Sequence, residues 1–524
     1  MSYHAQTISA ALRASARLFP DKTCLCSDSK ALTYSETEQA IDRLVAQLKS
    51  VGISAGDRIA LLDTDSVDYL LAMYALATMG AIAVPLNYRQ RAPELQYQLS
   101  HSGTRLLLAG RRYAEIAREL SPALDLGWQP LDQFVSESGK LDPRAVPRAL
   151  ESDCSADQAF AICYTSGTTG RPKGAVQSHR SAYLRGLKFI AEFGLVESDV
   201  FHITSPMFHI SSINLTFTGI LRGATIAINA QFDLGRTPDF VRERNVTFML
   251  VVPTILAMMT ERADFGPDYF GKVRLIMYTA APMNAPLLRR IMEVYRGDFV
   301  QSFGQTEDLP QAILSAADHR LAFERETPRL ASVGRAAVGV ELKVCDDDGN
   351  EVEAGAIGEI VTRGGTEMTG YLDNPTETEH TLRDGWIYSG DLGYQDDEGY
   401  VFLAGRKKHL IIRGGENIYP VEVERVLLEF LGVQDAAVIG LPDDKWGEIV
   451  VAVIVATAQA VDIDQLQMYL RAALAGYKCP ERIVVMDALP YNAAGKVNRA
   501  ELQAHFTRRP EAEKSRAAAE RGQG

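Results

Sequence analysis

Short apolar runs rich in β-branched residues alternate with segments of helical length between about residues 30 and 340. The runs are "RIALLD", "RLLLAG", "ATIAINA", "FMLVVP" and "VRLIMYTA". Such alternation is typical of βαβ units, in which crossover helices cover a largely parallel sheet. The region therefore predicts an α/β fold with two βαβ-type sheets covered by helices.

The character of the sequence changes twice after about residue 335. Between about 335 and 405, short strands joined by Asp-Gly and Glu-Gly turns predict a small β-barrel-like subdomain. Further on, a helix opened by Pro420, two strands, a second helix and a closing strand predict a small α+β domain. We expect an N-terminal domain over 1–405, a hinge at 406–410, a mobile C-terminal domain over 411–507 and a disordered tail at 508–524.

Composition excludes several classes of protein. The 524 residues include 46% apolar and 23% charged residues, which is ordinary for a multidomain globular protein. The net charge of −13 disfavours nucleic acids and anionic membrane surfaces as partners. Six cysteines without CxxC spacing, and an N-terminus that lacks the pattern of a signal peptide, predict a cytoplasmic protein without disulfides.

One uncharged stretch, residues 69–86, is long enough to suggest a membrane span. Gly80 and Pro85 interrupt it. We therefore expect a buried helix that ends at Met79, followed by a short buried strand, and no membrane span.

The stretch "YTSGTTGRPKGA", residues 164–175, has almost no apolar content and lies between two predicted strands. Backbone N–H groups of residues 167–170 can form an anion-binding nest, and Lys173 adds a positive charge. We interpret the stretch as a phosphate-binding loop, although the residues alone leave a plain Gly/Thr turn open.

This loop does not fit the P-loop of kinases and ATPases. That motif has four residues between its glycines, then Lys and Ser or Thr at the start of a helix. Here two residues separate Gly167 from Gly170, and Gly174 follows Lys173. Another kind of phosphate loop is needed.

The same stretch resembles the signature loop of the adenylate-forming (ANL) superfamily, which includes acyl-CoA synthetases, luciferases and the adenylation domains of peptide synthetases. Further blocks follow in the family's order and cover roughly residues 20–505: "SPMFHI", "YTAAPM", "QSFGQTE", "GEIVTRGGTEMTGY", "GWIYSGDLG", "GRKKHLIIRGGENIYP", "PDDKWGE" and "LPYNAAGKVNR". The resemblance implies an enzyme that uses ATP to convert a carboxylic acid into an acyl adenylate and releases pyrophosphate.

The resemblance also implies roles for single residues. Lys496 is implied to bridge the carboxylate and the α-phosphate, Glu307 to help hold Mg²⁺, and Thr306 to contact phosphate. Cations are needed because two anions approach each other during the transfer. The implied ATP- and AMP-binding residues are Thr165, Ser166, Gly167, Thr168, Thr169, Gly170, Lys173, Ala281, Pro282, Ser302, Phe303, Asp391 and Arg406.

The residue after Phe208 separates the branches of the superfamily. Amino-acid-activating relatives have Asp where this chain has His209, so a peptide-synthetase role is disfavoured. His209 resembles the gating residue of acyl-CoA synthetases, and a satisfied, partly buried histidine is the alternative. The resemblance therefore implies coenzyme A as acceptor, bound by Arg89, Gly414, Gly415, Trp446 and Lys478.

Two half-reactions must share one site. Lys496 and the Gly414–Gly415 loop both lie in the predicted C-terminal domain, and the family's solution is rotation of that domain. His409 stands at the predicted pivot where many relatives have Asp. Ala280 and Ala281 stand where a Gly pair commonly lines the acyl pocket, so the half-reactions need not be equally preserved.

We predict an AMP-forming acyl-CoA synthetase, an acid–thiol ligase that takes a small-molecule carboxylic acid, ATP with Mg²⁺ and coenzyme A. An enzyme with mainly one half-reaction and a non-catalytic nucleotide or acyl binder are the alternatives. Fatty, aromatic and terpenoid acids all stay open, as does a homodimer. The candidates for the acid pocket are His209, Ser212, Ile213, Asn214, Ala280, Gly304 and Gln305.

Overall fold

The computed structural model describes residues 6–141, 154–165, 171–280, 283, 285–325, 327–457, 461–491 and 497–507. Its α-helices are α1 (Ile8–Leu18), α2 (Tyr34–Ser50), α3 (Val67–Met79), α4 (Ala92–Ser102), α5 (Ala114–Ala123), α6 (Leu131–Ser138), α7 (His179–Phe193), α8 (Ile210–Arg222), α9 (Thr237–Glu243), α10 (Pro253–Thr260), α11 (Ala285–Val294), α12 (Ala316–Arg325), α13 (Pro375–Thr381), α14 (Pro420–Glu429), α15 (Ile463–Ala473) and α16 (Arg499–Thr507).

Its strands are β1 (Thr23–Cys26), β2 (Ala31–Thr33), β3 (Arg58–Leu62), β4 (Ile82–Pro85), β5 (Leu106–Ala109), β6 (Gly127–Pro130), β7 (Ala159–Thr165), β8 (Lys173–Ser178), β9 (Val200–Ile203), β10 (Thr225–Ala227), β11 (Phe248–Val251), β12 (Leu275–Thr279), β13 (Asp298–Phe303), β14 (Ala312–Leu314), β15 (Arg335–Ala336), β16 (Glu341–Cys345), β17 (Gly358–Arg363), β18 (Gly370–Tyr371), β19 (Leu382–Arg383), β20 (Trp386–Gln395), β21 (Val401–Arg406), β22 (Ile411–Arg413), β23 (Glu416–Ile418), β24 (Val433–Asp443), β25 (Gly447–Ala456) and β26 (Arg482–Met486).

The uncharged stretch at residues 69–86 folds as expected. The Ser66 hydroxyl accepts the N–H of Tyr69 at the start of α3, and Gly80 ends the helix with a φ of 78°. Nearly all of α3 is buried, and β4 follows it. The predicted helix and strand are confirmed. Among the described helices, none combines the length and apolar character that a membrane crossing requires.

Two large sheets build the N-terminal part. The first has the strand order β15-β14-β13-β12-β11-β9-β10-β1-β2, and its strands from β13 to β1 run parallel. The second has the order β18-β8-β7-β4-β3-β5-β6, in which β7, β4, β3, β5 and β6 run parallel. β8 turns back antiparallel to β7. The predicted βαβ-type sheets are therefore present.

The largest core cluster lies between these sheets. It joins Leu25 and Phe201 of the first sheet and Ile59 and Phe160 of the second with buried residues of α1, α2, α3, α7 and α8. Separate clusters cover the outer faces, around Tyr278 on the first sheet and around Leu107 on the second. Helices on both faces are what a buried parallel sheet requires.

The C-terminal elements form a sheet of order β23-β22-β25-β24, with β26 parallel to β25. Val423 and Leu427 of α14 and Leu466 and Leu470 of α15 pack on one face of it. The helix opened by Pro420 and the α+β arrangement are as predicted. A further sheet, of order β16-β17-β20-β19 with β21 beside β20, contains most strands of the predicted β-rich subdomain.

The chain divides into two compact units. The first consists of Met1–Lys343, Val361–Ser389 and Asp396–Phe402, and the second of Val344–Ile360, Gly390–Gln395 and Leu403–Gly524. The domain bounds at 405 and 410 stay predictions, and the tail 508–524 lies outside the described residues.

Three buried histidines make the fold sensitive to acid. Burial lowers the pKa of His179, His202 and His319 to about 4. In His319, Nδ1 lies 2.8 Å from the Ser315 carbonyl oxygen and Nε2 lies 2.9 Å from the Tyr278 hydroxyl. A neutral ring that donates from Nδ1 and accepts at Nε2 satisfies both contacts.

We therefore predict that the free energy of unfolding falls as the pH is lowered from 6.5 to 4, because the unfolded chain then binds protons that the folded protein does not. In His319→Gln, the unfolded chain should take up about one proton fewer than in the wild type, so the free energy of unfolding should fall less steeply with pH. Urea unfolding at several pH values measures the effect. His380→Gln, at an exposed position, is the control and should leave the dependence unchanged; an equal effect of both variants would contradict the prediction.

Candidate active site

The predicted phosphate-binding loop closes a pair of antiparallel strands. Thr165 ends β7, Lys173 begins β8, and their Cα atoms are paired directly opposite each other. The strands thus hold both ends of the loop next to each other, where β7 ends and β8 begins. Residues 166–170, which include the predicted nest, lie outside the described part of the chain.

Thr306 and Glu307 lie in a tight turn between β13 and β14. The Gln305 N–H donates to the Asp308 carbonyl at 2.8 Å, and the Asp308 N–H donates to the Gln305 carbonyl at 3.2 Å. Gly304 precedes the turn, and a Cβ atom there would lie 2.8 Å from Leu309 Cβ and 2.9 Å from the Asp308 carbonyl oxygen. Only glycine lets the backbone pass so closely.

The Glu307 carboxylate faces the end of the loop. Its side chain is buried, and Oε1 accepts a hydrogen bond from the Tyr371 hydroxyl at 2.5 Å. The Thr165 hydroxyl lies 3.5 Å from the same oxygen. Burial raises the pKa of Tyr371, which keeps this hydroxyl a donor. The structure thus brings the predicted Thr165 and Glu307 together and adds Tyr371, which the sequence showed only as part of a family block.

Lys173 has an internal counter-ion. Its ammonium forms an ion pair with the Glu377 carboxylate of α13 and lies 4.9 Å from the centroid of the Tyr371 ring. The Lys173 side chain is only 10% exposed. The sequence predicts that Lys173 binds phosphate. It gives no signal that Glu377 pairs with this lysine. In this arrangement, phosphate would compete with Glu377 for the ammonium.

This donor set suits Mg²⁺ that arrives with a nucleotide. The described residues contain no cluster of three or more His, Cys, Asp or Glu side chains that could hold a metal ion by themselves. Mg²⁺ in nucleotide sites is usually held by one or two carboxylates together with phosphate oxygens and water. The single carboxylate of Glu307, next to the loop, fits that pattern.

The residues predicted to face the nucleotide base lie at the ends of two paired strands. The Thr279 hydroxyl at the end of β12 donates to the Ser302 carbonyl of β13 at 2.7 Å. Phe303 ends β13. Ala280 follows β12 with a φ of 75°, a left-handed conformation that costs about 1–2 kcal/mol for a residue with a Cβ atom. Ala281 and Pro282 lie outside the described residues.

An aromatic row joins two residues predicted from the CoA-synthetase branch. His209 is the N-cap of α8, and its ring centroid lies 4.4 Å from that of Phe208. The Phe208 ring lies edge-on to Tyr88 at 5.3 Å, and the Arg89 guanidinium lies 5.6 Å from the Tyr88 ring centroid. Ring contacts through Tyr88 and Phe208 therefore connect Arg89 with His209.

Asp65 supports the segment that leads to His209. Its Oδ1 accepts the Met207 N–H at 2.8 Å, and burial raises the pKa of this carboxyl to about 7. Asp65 follows β3 and was not predicted. A lone acidic residue in a helix-preceding turn carries no signal that distinguishes it from an ordinary cap.

The other predicted acid-pocket residues of α8 are buried. The Ser212 hydroxyl donates to the Ser205 carbonyl at 2.8 Å, so it is committed to the backbone. The Asn214 amide donates to the Ile210 carbonyl at 2.8 Å, and within the described part of the chain its Oδ1 has no hydrogen-bond partner. Ile213 packs in the core. Asn214 therefore offers a buried amide oxygen beside apolar neighbours.

In the second unit, the predicted ribose ligands lie together. Arg406 Nε lies 2.5 Å from Asp391 Oδ1, and Asp391 is largely buried. His409 comes three residues after Arg406 in the sequence. Burial is the main cause that lowers the pKa of His409 to about 4, and the positive charges of Arg499, Lys408 and Arg406 lower it further. The residue at the predicted pivot is therefore uncharged at neutral pH.

The predicted CoA-binding residues of the second unit form two contacts. The Gly414 N–H donates to the Trp446 carbonyl at 2.7 Å, and a Cβ atom on Gly414 would lie 2.9 Å from the Trp446 ring. Gly415 has a φ of 89°, and a Cβ atom built on it would meet no atom of the described residues within 4 Å. Lys478 Nζ lies 2.8 Å from both carboxylate oxygens of Glu422. Lys496 lies outside the described residues, so its predicted role is not tested.

Comparisons with known proteins agree with this architecture. A family model described as AMP-binding enzyme matches residues 12–372, and one described as AMP-binding enzyme C-terminal domain matches residues 422–496. The feruloyl-CoA synthase of Amycolatopsis sp is 33% identical over 494 residues, which are 94% of this chain and 97% of that relative.

Solved structures are similar over nearly the whole chain. The o-succinylbenzoate CoA synthetase of Bacillus subtilis in complex with its acyl-adenylate intermediate has a TM-score of 0.84 and 30% identity, and covers 94% of this chain and 97% of its own. The same enzyme with ATP and magnesium ion has a TM-score of 0.83 and 30% identity, with coverage of 94% and 98%. These likenesses confirm the predicted α/β fold class and the resemblance, and the chain belongs to the AMP-binding enzyme family.

Proposed function

We propose that the protein activates a carboxylic acid as an acyl adenylate and then transfers the acyl group to coenzyme A at the same site. The relatives confirm the predicted enzyme class, an AMP-forming acid–thiol ligase. The observation that carries the proposal is the placement of Thr165, Glu307 and Lys173 around the ends of one loop. An anion-binding loop beside one buried carboxylate suits a magnesium–nucleotide complex.

In adenylation, the chain's own groups bind and orient the nucleotide. Lys173 and the 166–170 loop would hold phosphate oxygens, and Glu307 would hold Mg²⁺, whose bound charge offsets that of the phosphates. Tyr371 fixes the orientation of Glu307 through its hydroxyl. Lys496 is proposed to neutralise the two anions that meet at the α-phosphate.

In thioester formation, we place the acceptor along the aromatic row. Arg89 would contact a phosphate of coenzyme A, and His209 would lie where the thiol meets the acyl group. Support comes from the continuous contacts Arg89–Tyr88–Phe208–His209. We also propose that rotation of the C-terminal domain about residues 406–410 brings Gly414, Gly415 and Trp446 to the bound coenzyme A. The alternative of mainly one half-reaction stays open.

The test is acid-dependent exchange of labelled pyrophosphate into ATP, followed by thioester formation on addition of coenzyme A. A panel of ferulate, o-succinylbenzoate, a long-chain fatty acid and a terpenoid acid covers the open chemical classes. Exchange and thioester with one acid would support both half-reactions. Neither product with any acid, together with nucleotide binding, would favour the non-catalytic binder.

A cytoplasmic location and a homodimer are further proposals. All six cysteines are free, which suits a reducing compartment. Light scattering of the purified chain tests the homodimer.

Glu377→Gln should lower the KM for ATP, because it frees the Lys173 ammonium for phosphate. An ion pair at such a partly exposed site is worth up to about 1 kcal/mol, or about fivefold in affinity. Steady-state kinetics at saturating acid measures the change. Glu379→Gln on the same helix is exposed and serves as control. A higher or unchanged KM in Glu377→Gln would contradict the assignment of Lys173 to phosphate.

Lys496→Ala should lower the rate of adenylation by at least about 100-fold, because an unneutralised charge then develops in the transition state. Thioester formation from a supplied acyl adenylate should persist. Exchange kinetics and the supplied-adenylate assay separate these steps. Lys272→Ala, at an exposed position, should change neither rate. Equal losses in both half-reactions of Lys496→Ala would rule out the proposed role.

A further inference from the structure

A set of buried polar side chains lies behind the turn that carries Thr306 and Glu307. Arg185 of α7, Gln177 of β8, Asp308 and Thr366 have no exposed surface. A fully buried arginine and a fully buried aspartate are rare, because each charge is costly to remove from water unless it is paired. The hydrogen-bond partners of Arg185 and Asp308 therefore indicate the role of these two residues.

One arm of this network runs from Arg185 to the backbone of Thr306. Arg185 Nη1 donates to Gln177 Oε1 at 2.6 Å, and Gln177 Nε2 donates to the Thr306 carbonyl at 3.1 Å. Gln177 lies on β8, the strand that begins at Lys173. This arm therefore ties the turn to the strand that holds one end of the phosphate-binding loop.

The second arm runs from Arg185 to Asp308, the last residue of the turn. Arg185 Nε and Nη2 donate to the Thr366 carbonyl at 2.9 and 2.5 Å. The Thr366 hydroxyl donates to Asp308 Oδ1 at 2.7 Å. Since Asp308 and Gln305 exchange backbone hydrogen bonds across the turn, the two arms close a ring that contains Glu307.

Asp308 accepts hydrogen bonds through both oxygens of its carboxyl group. Its Oδ2 accepts the Thr362 hydroxyl at 2.8 Å, and the Thr362 oxygen in turn accepts Gln311 Nε2 at 2.9 Å. Both carboxyl oxygens of Asp308 thus act as acceptors. Burial raises the pKa of Asp308 above its usual range, against the opposing effects of the Thr366 and Thr362 hydroxyls and of Arg185. Arg185, whose pKa burial lowers to about 10, stays charged at neutral pH.

We propose that Arg185 and Asp308 are positioning residues for adenylation, which fix the turn through Gln177 and Thr366 so that the Glu307 carboxylate faces the phosphate-binding loop. The inference rests on the proposed function, because it assumes that Glu307 holds Mg²⁺. Neither residue touches a reacting atom. A small rotation of the turn would move Glu307 away from its partner Tyr371, and misplacement by about 1 Å can cost about 100-fold in rate.

The test compares Thr366→Val with Thr366→Ser and adds Asp308→Asn. Valine removes the hydroxyl that reaches Asp308 and keeps the carbonyl that Arg185 binds, whereas serine retains the hydroxyl. We expect Thr366→Val and Asp308→Asn to lower the acid-dependent pyrophosphate exchange by about 10- to 100-fold. Both should also raise the Mg²⁺ concentration needed for half-maximal rate, and Thr366→Ser should stay near wild type.

A second readout separates positioning from general stability. Thioester formation from a supplied acyl adenylate does not need the phosphate–Mg²⁺ contacts, so it should change less than about threefold in these variants. Asp318→Asn is the matched control, since Asp318 is a buried carboxylate that accepts the Ser315 hydroxyl at 2.7 Å and the Tyr400 hydroxyl at 2.6 Å. It should not alter the Mg²⁺ dependence.

The outcomes are distinguishable. Selective loss of exchange with a raised Mg²⁺ requirement supports the positioning role. Equal losses in both half-reactions, or a Mg²⁺ dependence that matches Asp318→Asn, overturn it and leave a structural network. If the wild-type protein catalyses no exchange with any acid of the panel, the proposed function fails, and this inference falls with it.

Discussion

The contact on which the site depends is the hydrogen bond from the Tyr371 hydroxyl to the Glu307 carboxylate. It joins β18, at one edge of the second sheet, to the turn that follows β13 of the first sheet. The hydrogen bond from Gln177 of β8 to the Thr306 carbonyl joins the second sheet to the same turn. Because the bond from Tyr371 is buried and both partners are fixed by packing, it sets the direction of the Glu307 carboxyl group.

Much of the fold follows from local sequence signals. The alternation of β-branched runs and helical segments is enough to predict parallel sheets, since their parallel strands other than β6 are largely buried. Gly80 and Pro420 mark a helix end and a helix start for reasons that act within a few residues. The loop between Thr165 and Lys173 is equally local, because its flanking strands bracket it.

The parts that sequence could not supply are contacts across long separations. Glu377 reaches Lys173 from 204 residues away, and Thr366 meets Arg185 from 181 residues away. A single sequence gives no distance for such pairs. Gly414 shows a further limit: we predicted it to bind coenzyme A, a role that stays a prediction, while the structure shows that the Trp446 ring leaves no room for a Cβ atom there.

We propose that Glu307, oriented by Tyr371 and close to Thr165, holds the Mg²⁺ of a bound nucleotide. Calorimetric titration of wild type and Glu307→Gln with ATP, in the presence and absence of Mg²⁺, tests this most directly. We expect Mg²⁺ to strengthen ATP binding to the wild type and Glu307→Gln to lose about 10-fold of that gain in affinity, with metal-free binding unchanged. Identical Mg²⁺ dependence in both proteins would contradict it.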